Sequence, residues 1–473
     1  MSGNICFIVY KTARAKYLYD CYSNSITRIS NKVYQDLKDY ENGLTSAKNP
    51  SIRKLQKYGL LMPYEICDIK HPETDFLPHI LENCVQNIIL QVTQRCNLRC
   101  SYCVYGDAYT SRCHTKKNMT FDVAKKAIDF LIMRSSECDS IILSFYGGEP
   151  LLEFELIKKC VEYTERAVTG KKVLFNITTN GTLLNKEIAD FFVRKDFKVL
   201  ISLDGDKPSH DANRKFANGE GSYDIIMKNI TDFKKMYPEF VKSNVSFNMV
   251  VNPKTNLSCL KEQFSTDTVM SDINIMVNEV ASENLLDSNV AQFDEKYRVK
   301  KRFEYAKMLA SMINKIDTKH VSALVSGGRQ YIDDLYDEIS THVSISDVLH
   351  PGGPCIPGKN RLLVSVDGNL YPCERVPELP YMSIGNIYEG FDDSRIRMFM
   401  NIGELTSEQC KKCWAIRHCQ CCIAQFDCSD EDRMKHSKNN LCNQIKSAVM
   451  ADLYEITVLL ELGYRKQVQL VSD

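Results

Sequence analysis

The chain has 473 residues, 44% of them hydrophobic, and its 60 Lys and Arg are balanced by 60 Asp and Glu. That length supplies core for two or three domains, and the zero formal charge argues against a general nucleic-acid or membrane-surface binder. The start "MSGNICFIVYKTARAKYL" lacks the pattern of a secretory signal and no run of about 18 apolar residues marks a membrane span, so the expected setting is cytoplasmic, with neither nucleic acid nor membrane as partner.

Residues 1–85 form the first expected module. "ICFIVYK", "KYLYDCY" and "SITRIS" are short β-rich pieces. "NKVYQDLKDYE" and "SIRKLQKYGLL" then show helical spacing of apolar residues. Three strands followed by helices predict a small winged-helix-like domain. From 86 to 290 strands alternate with helices. The predicted strands are "NIILQVT", "SIILSFY", "KVLFNITT", "FKVLISLD", "SNVSFNMVV" and "DINIMVNEV". Amphipathic patterns such as "TFDVAKKAIDFLIMR" and "NKEIADFFVRK" fall between most of them. Apolar strands alternating with helices indicate a parallel sheet covered by helices. Six units predict an α/β fold of the partial (β/α)6, TIM-like barrel type, with its chemistry at the C-terminal strand ends. Residues 291–354 read as a helical bridge, 355–442 as a cysteine-rich domain, and 443–473 as a closing amphipathic helix and tail.

Cysteine is the outlier at 20 residues. A reducing compartment argues against disulfides. Three cysteines fall in 96–103 and nine between Cys355 and Cys442, which points to metal ligation. The other eight are scattered and read as small buried apolar residues. "CNLRCSYC" sets Cys96, Cys100 and Cys103 just after the first barrel strand. Thiolates select zinc or iron–sulfur. A zinc site needs a fourth ligand, with Cys113 or His114 as candidates. A cubane cluster holding one iron without a cysteine needs none.

This stretch resembles the signature of the radical S-adenosylmethionine (radical SAM) superfamily. In that family three cysteines hold a 4Fe–4S cluster, and the amino and carboxylate groups of SAM chelate the fourth iron. Tyr102 is the aromatic residue typical before the last cysteine. "YGGEP" ends the second strand, "TTNGTLL" the third and "SLDG" the fourth. The resemblance implies that Gly147, Gly148 and Glu149 meet the SAM amino group. It also implies that Asn180 and Ser202 meet the ribose and carboxylate, and that Arg214 in "HDANRK" meets the carboxylate. The glycines are expected to let backbone approach a ligand closely. The implied chemistry is reductive cleavage of SAM to methionine and a 5′-deoxyadenosyl radical, which abstracts a substrate hydrogen.

Cys355 and Cys373 flank a predicted hairpin with a "DG" turn. "CKKCWAIRHCQCC" adds Cys410, Cys413, Cys419, Cys421 and Cys422, and Cys428 and Cys442 follow. The pattern resembles a SPASM domain, the extension that carries auxiliary 4Fe–4S clusters in radical SAM enzymes acting on peptides. Gly368 to Cys373 fits its G-x4-C step, and Cys410, Cys413 and Cys419 fit its C-x2-C-x5-C step. The family's next cysteine would fall at 423, which is Ile423. The expected division gives one cluster Cys410, Cys413, Cys419 and Cys442, and the other Cys355, Cys373 and Cys422 with an open iron; Cys421 and Cys428 are spare. A pair of zinc ribbons is the alternative.

The N-terminal module resembles the peptide-recognition element (RRE/PqqD-like) that binds a leader segment by strand addition. The resemblance implies a maturase of ribosomally made peptides, with a precursor peptide and an electron donor such as flavodoxin or ferredoxin as partners. Thioether crosslinking of the sactipeptide or ranthipeptide type is the leading outcome. Carbon–carbon crosslinking and sulfatase formylglycine formation are alternatives. For the last, "NIMVNEV" offers Asn278 and Glu279 rather than an aspartate. A zinc-dependent protein or nucleic-acid binder is the rival from another class.

Overall fold

The computed structural model describes residues 5–106, 109, 114–253, 255, 270, 273–281, 285–353 and 355–466. Cys113, one candidate fourth zinc ligand, lies outside them.

The first three strands, β1 (Phe7–Lys11), β2 (Lys16–Asp20) and β3 (Ser25–Ile29), form an antiparallel sheet with β2 in the middle. Their two-residue period separates two buried faces. Phe7, Val9 and Leu18 pack on Leu37, Ile52 and Leu61, under helices Asn31–Glu41 and Pro50–Lys57. Ser30 and Asn49 cap those helices by accepting from Val33 N and Ser51 N. Cys6, Tyr10, Tyr17, Tyr19 and Cys21 face the other way, into a cluster with Ile416, Leu453 and Ile456. Tyr10 OH meets Thr457 Oγ1 at 2.7 Å, and Arg417 Nε donates to Cys21 O at 2.7 Å. The module is thus docked on the segment that carries the second cysteine cluster. A short strand, β4 (Asp68–Ile69), follows.

The barrel strands are β5 (Asn87–Thr93), β6 (Ser140–Gly147), β7 (Lys172–Thr179), β8 (Lys198–Ser202), β9 (Val245–Val251) and β10 (Asn274–Glu279). They pair in parallel in chain order, as six alternating units predict. Ile141, Leu143, Phe145, Phe175 and Ile177 belong to the buried core. The alternate residues Ser144, Tyr146, Asn176 and Thr178 line the lumen with Leu200 and Met276. The lumen thus mixes polar groups with apolar ones such as Ile89, Leu200 and Met276.

Beyond the barrel, β11 (Val348–Leu349) pairs with β4. The strands β12 (Leu362–Val364), β13 (Asn369–Tyr371), β14 (Gly385–Asn386) and β15 (Gly390–Phe391) continue the main sheet beyond β5. The predicted hairpin is β12–β13, with Gly368 at φ 87° in its turn. Its attachment was not foreseen: β12 lies parallel to β5, with Leu363 opposite Ile89, so barrel and cysteine-rich region share one ten-stranded sheet.

The boundary expected at 442/443 is corrected. One helix runs from Glu431 to Glu461, so Cys442 sits inside it. Asp430 caps it by accepting from Arg433 N, and Glu431 and Asp432 occupy the positive first turn. Among the described residues, no helix is long and apolar enough to cross a membrane.

Candidate active site

The loop bearing Cys96, Cys100 and Cys103 leaves the C-terminal end of β5 and is held from two sides. On one side Gly148 N donates to Thr93 O and Glu149 N to Arg95 O, both at 2.9 Å. On the other, Arg99 N donates to Lys215 O at 2.7 Å and Ser101 Oγ to Asn213 Oδ1 at 2.8 Å. The two glycines also have a packing role that the sequence did not indicate. A Cβ on Gly147 would sit 2.1 Å from Thr93 O, and one on Gly148 2.1 Å from Arg95 O. Gly147 also has φ 137°. The two glycines let β6 close against the root of the cysteine loop, and any ligand contact comes in addition.

The sulfurs sit in a shell of N–H donors. Leu98 N points at Cys96 Sγ from 3.4 Å, Tyr105 N at Cys103 Sγ from 3.4 Å, and Asn180 Nδ2 at Cys96 Sγ from 3.9 Å. Asn180 also donates to Asn97 Oδ1 at 2.9 Å. Burial pushes the Cys96 and Cys100 thiols up to about 12, with the Glu149 charge adding to the rise at Cys96 and Arg214 opposing it at Cys100. Metal binding here must therefore release protons.

Glu149 is fully buried. Its Oε1 accepts from Thr179 Oγ1 at 2.7 Å and Leu151 N at 3.0 Å, and its Oε2 accepts from Asn180 N at 2.7 Å. Burial lifts its carboxyl to about 7 even against those bonds. Ser202 closes β8 and is buried, opposite Asn248 of β9.

Asp204 is the residue that sequence reasoning missed. It lies in "SLDG", where Asp-Gly reads as a turn, yet it is fully buried. It accepts from Arg214 Nε at 2.9 Å, Arg214 Nη2 at 3.1 Å, Val250 N at 3.0 Å and Tyr102 OH. The Arg214 guanidinium lies 5.4 Å from the Tyr102 ring centroid and hydrogen-bonds Cys100. Two of its donors are thus committed to Asp204, tying the middle of the cysteine loop to the end of β8. Asp204→Asn is expected to destabilise the protein by about 3–5 kcal/mol, because it leaves a buried guanidinium without its anion. Denaturant unfolding under anaerobic conditions measures it; Tyr102→Phe, which removes one neutral donor, should cost about 1 kcal/mol.

In the cysteine-rich region, Cys410, Cys413, Cys419, Cys421 and Cys442 line one cavity. Cys421 donates to Cys419, favouring the Cys419 thiolate and pushing its own thiol up. Cys421, expected to be spare, therefore faces this cavity. The charges that bear on Cys355 are those of Cys373, Cys422 and Arg361. Cys422 is extended, at φ −131° and ψ 138°, so consecutive side chains point to opposite sides; Cys421 lines the cavity and Cys422 is exposed. Cys428 is buried, with its Sγ 3.7 Å from Phe426 O, and packs in the hydrophobic core.

Among the described residues, His79, Cys84 and Glu137 bring three ligand atoms within 4.8 Å of one another. The cysteine groups at 96–103 and 355–442 are all-thiol donor sets, which suit soft metals such as zinc or the iron of an iron–sulfur cluster.

Residues 90–264 match the profile of the Radical SAM superfamily. The chain carries a radical SAM domain. It is 33% identical over 158 residues to a cysteine-type anaerobic sulfatase-maturating enzyme of Clostridium novyi, covering 32% of this chain and 41% of that enzyme. The chain thus spans less than half the length of that relative. A cysteine-type anaerobic sulfatase-maturating enzyme of Clostridium perfringens is 25% identical over 351 residues, covering 70% of this chain and 87% of that one. The solved structure of native anSMEcpe with bound AdoMet superposes with a TM-score of 0.57 at 20% identity, over 80% of this chain and 98% of that one. The radical SAM domain thus takes in β5–β9, and the shared fold extends well beyond it.

Proposed function

We propose that the protein is a radical SAM maturase that binds a ribosomally made precursor peptide and crosslinks it, joining a peptide cysteine to another residue's carbon as a thioether. The observation that carries this reading is the three-thiol set Cys355, Cys373 and Cys422 at the barrel. Arg361 and Glu374 line the lumen; Arg361 also bears on Cys355 and Cys373. Three thiols leave one position open for a substrate sulfur, beside the cavity where the peptide chain would lie.

When bound, SAM and the cluster at Cys96, Cys100 and Cys103 supply a radical that takes a hydrogen atom from carbon; two auxiliary clusters complete the set. The chain's own residues orient and enclose. Gly147 and Gly148 fix the cysteine loop. Glu149 offers a buried anion to the SAM ammonium, and Asn180, Ser202 and Arg214 stand at the strand ends assigned to its ribose and carboxylate. Ser144, Asn176 and Thr178 present hydrogen-bonding groups to a peptide in the lumen. The N-terminal sheet has β3 on its edge, as strand addition of a leader requires. A flavodoxin or ferredoxin would supply the electron.

Glu149 makes SAM binding depend on pH. Its carboxyl is raised from 4.5 to about 7, so in the ligand-free protein its stabilising contribution is complete below pH 4.5 and is lost as pH rises to about 7. An ammonium pairs only with the ionised form. SAM affinity is therefore expected to fall about tenfold per pH unit below pH ~7, and Glu149→Gln to flatten that slope in equilibrium dialysis of the reconstituted protein.

Formylglycine formation on a sulfatase is a second reading with its own support. The Clostridium perfringens relative aligns over most of the chain, and Glu374, directly after Cys373, lines the lumen paired with Arg361, whose Nε donates to it at 3.2 Å. Glu279, which the sequence offers near the last barrel strand in place of an aspartate, accepts from Tyr297 OH at 2.5 Å and Lys301 Nζ at 2.7 Å.

The test is anaerobic incubation with SAM, a reductant and either the peptide encoded beside the gene or a sulfatase-derived peptide containing Cys or Ser. Loss of two hydrogens from the first, with its cysteine no longer open to a thiol reagent, supports the thioether. The same mass loss with the thiol still reactive indicates carbon–carbon closure. Conversion of the second peptide to an aldehyde supports formylglycine formation. Zinc without iron or acid-labile sulfide after anaerobic purification overturns both readings and leaves the zinc-dependent binding protein.

A further inference from the structure

Lys438 is 2% exposed, a rare state for a lysine that lacks a partner anion. It lies on the helix Glu431–Glu461, one turn before Cys442 and two before Lys446. Positions four apart share a helix face, and all three residues line the five-cysteine cavity. The Lys438 ammonium donates to Cys410 Sγ at 3.3 Å and to Thr406 Oγ1. Thr406 Oγ1 is itself 3.4 Å from Cys410 Sγ. The Lys438 charge also bears on Cys419, Cys421 and Cys442. Among the described residues, its hydrogen-bond partners are a hydroxyl and a thiol, with no carboxylate. The compensating negative charge must therefore come from the cavity.

We infer that Lys438 is the resident counter-cation of the group held by Cys410, Cys413, Cys419 and Cys442, and that it raises that group's reduction potential by hydrogen-bonding the Cys410 sulfur. This rests on the reading of those cysteines as ligands of an auxiliary 4Fe–4S cluster. Four thiolates around such a cluster carry net negative charge, and reduction adds one more. A fixed cation a few ångströms away stabilises the reduced form more than the oxidised, most strongly where water is excluded. Hydrogen bonds to the ligating sulfurs act in the same direction. Lys446, half-buried at the cavity rim, is better screened and contributes less. Lys438 is thus a positioning and tuning residue that touches neither SAM nor peptide.

The test uses the full chain with Cys96, Cys100 and Cys103 replaced by alanine, so that only auxiliary clusters remain. In redox titrations followed by electron paramagnetic resonance, Lys438→Met is expected to lower the midpoint of one auxiliary signal and leave the other in place. The expected size is at least a tenfold change in the reduction equilibrium, about 59 mV for one electron. Lys438→Arg, which keeps the charge, should restore most of it. Unmoved signals in a Lys438→Met protein with full iron and sulfide overturn the inference. Failure of the underlying reading looks different: a Cys410→Ala/Cys413→Ala protein would hold as much iron as its parent. Should Lys438→Met fail to load iron, the parent protein labelled with nitrogen-15 lysine still decides. Nitrogen hyperfine coupling to the reduced auxiliary signal supports the contact, and its absence overturns it.

Discussion

Replacing Cys96, Cys100 and Cys103 together by alanine is expected to abolish SAM cleavage and to remove about one third of the bound iron, the share of one cubane cluster in three. The activity loss should reach the uncatalysed background, a fall of at least about a million-fold, because the cluster assigned to bind SAM is the one this loop would hold. The structural argument is the isolation of this set. The loop is anchored to β6 through Gly148 and Glu149 and to the 213–215 segment through Arg99 and Ser101. The thiols Cys410, Cys413, Cys419, Cys421 and Cys442 line a cavity of their own, to which none of the three loop cysteines contributes. They should keep their iron when the loop loses its own. Cys67→Ala, at an exposed and isolated thiol, is the control and should leave both iron and activity unchanged. Retention of full iron by the triple variant would sink the assignment of the loop as a cluster site.

Gly148→Ala is expected to cost about a hundredfold or more in turnover from a single methyl group. Its Cβ would stand 2.1 Å from Arg95 O and 2.5 Å from Arg95 C, where real Cβ atoms stay beyond 3.0 Å. The atoms in the way are backbone, so rotamer changes cannot relieve the clash. The segment Thr93–Cys96 must move by about 1 Å, a displacement that costs about a hundredfold when it misplaces reacting groups. Overpacking of this kind also destabilises by about 1–3 kcal/mol. Gly170→Ala separates the two effects. Gly170 has φ 73° and open space around it, so alanine there strains only the backbone, by about 1–2 kcal/mol, and should leave turnover intact. A Gly148→Ala protein with unchanged SAM cleavage and unchanged cluster absorbance would show that the loop tolerates the shift.

Most of the barrel was legible before any coordinates. "NIILQVT" and "KVLFNITT" are β5 and β7 residue for residue, because apolar period and turn residues are local properties. The strand-end motifs were legible for the same reason. Asp204 was not, since its value lies in accepting from Arg214, Tyr102 and Val250, ten to a hundred residues away. Nor was the purpose of Gly147 and Gly148, which depends on how closely Thr93 and Arg95 approach them.

The sequence by itself determined the thiol loop after the first strand, the order of the strands and the existence of a closing helix, all consequences of spacing along one chain. The tertiary structure alone decided that the cysteine-rich hairpin joins the barrel sheet at β5, that Cys421 and Cys422 face different ways, and that Lys438 is buried against Cys410. The first and last depend on segments distant in sequence, and burial is a sum over neighbours that no local pattern contains.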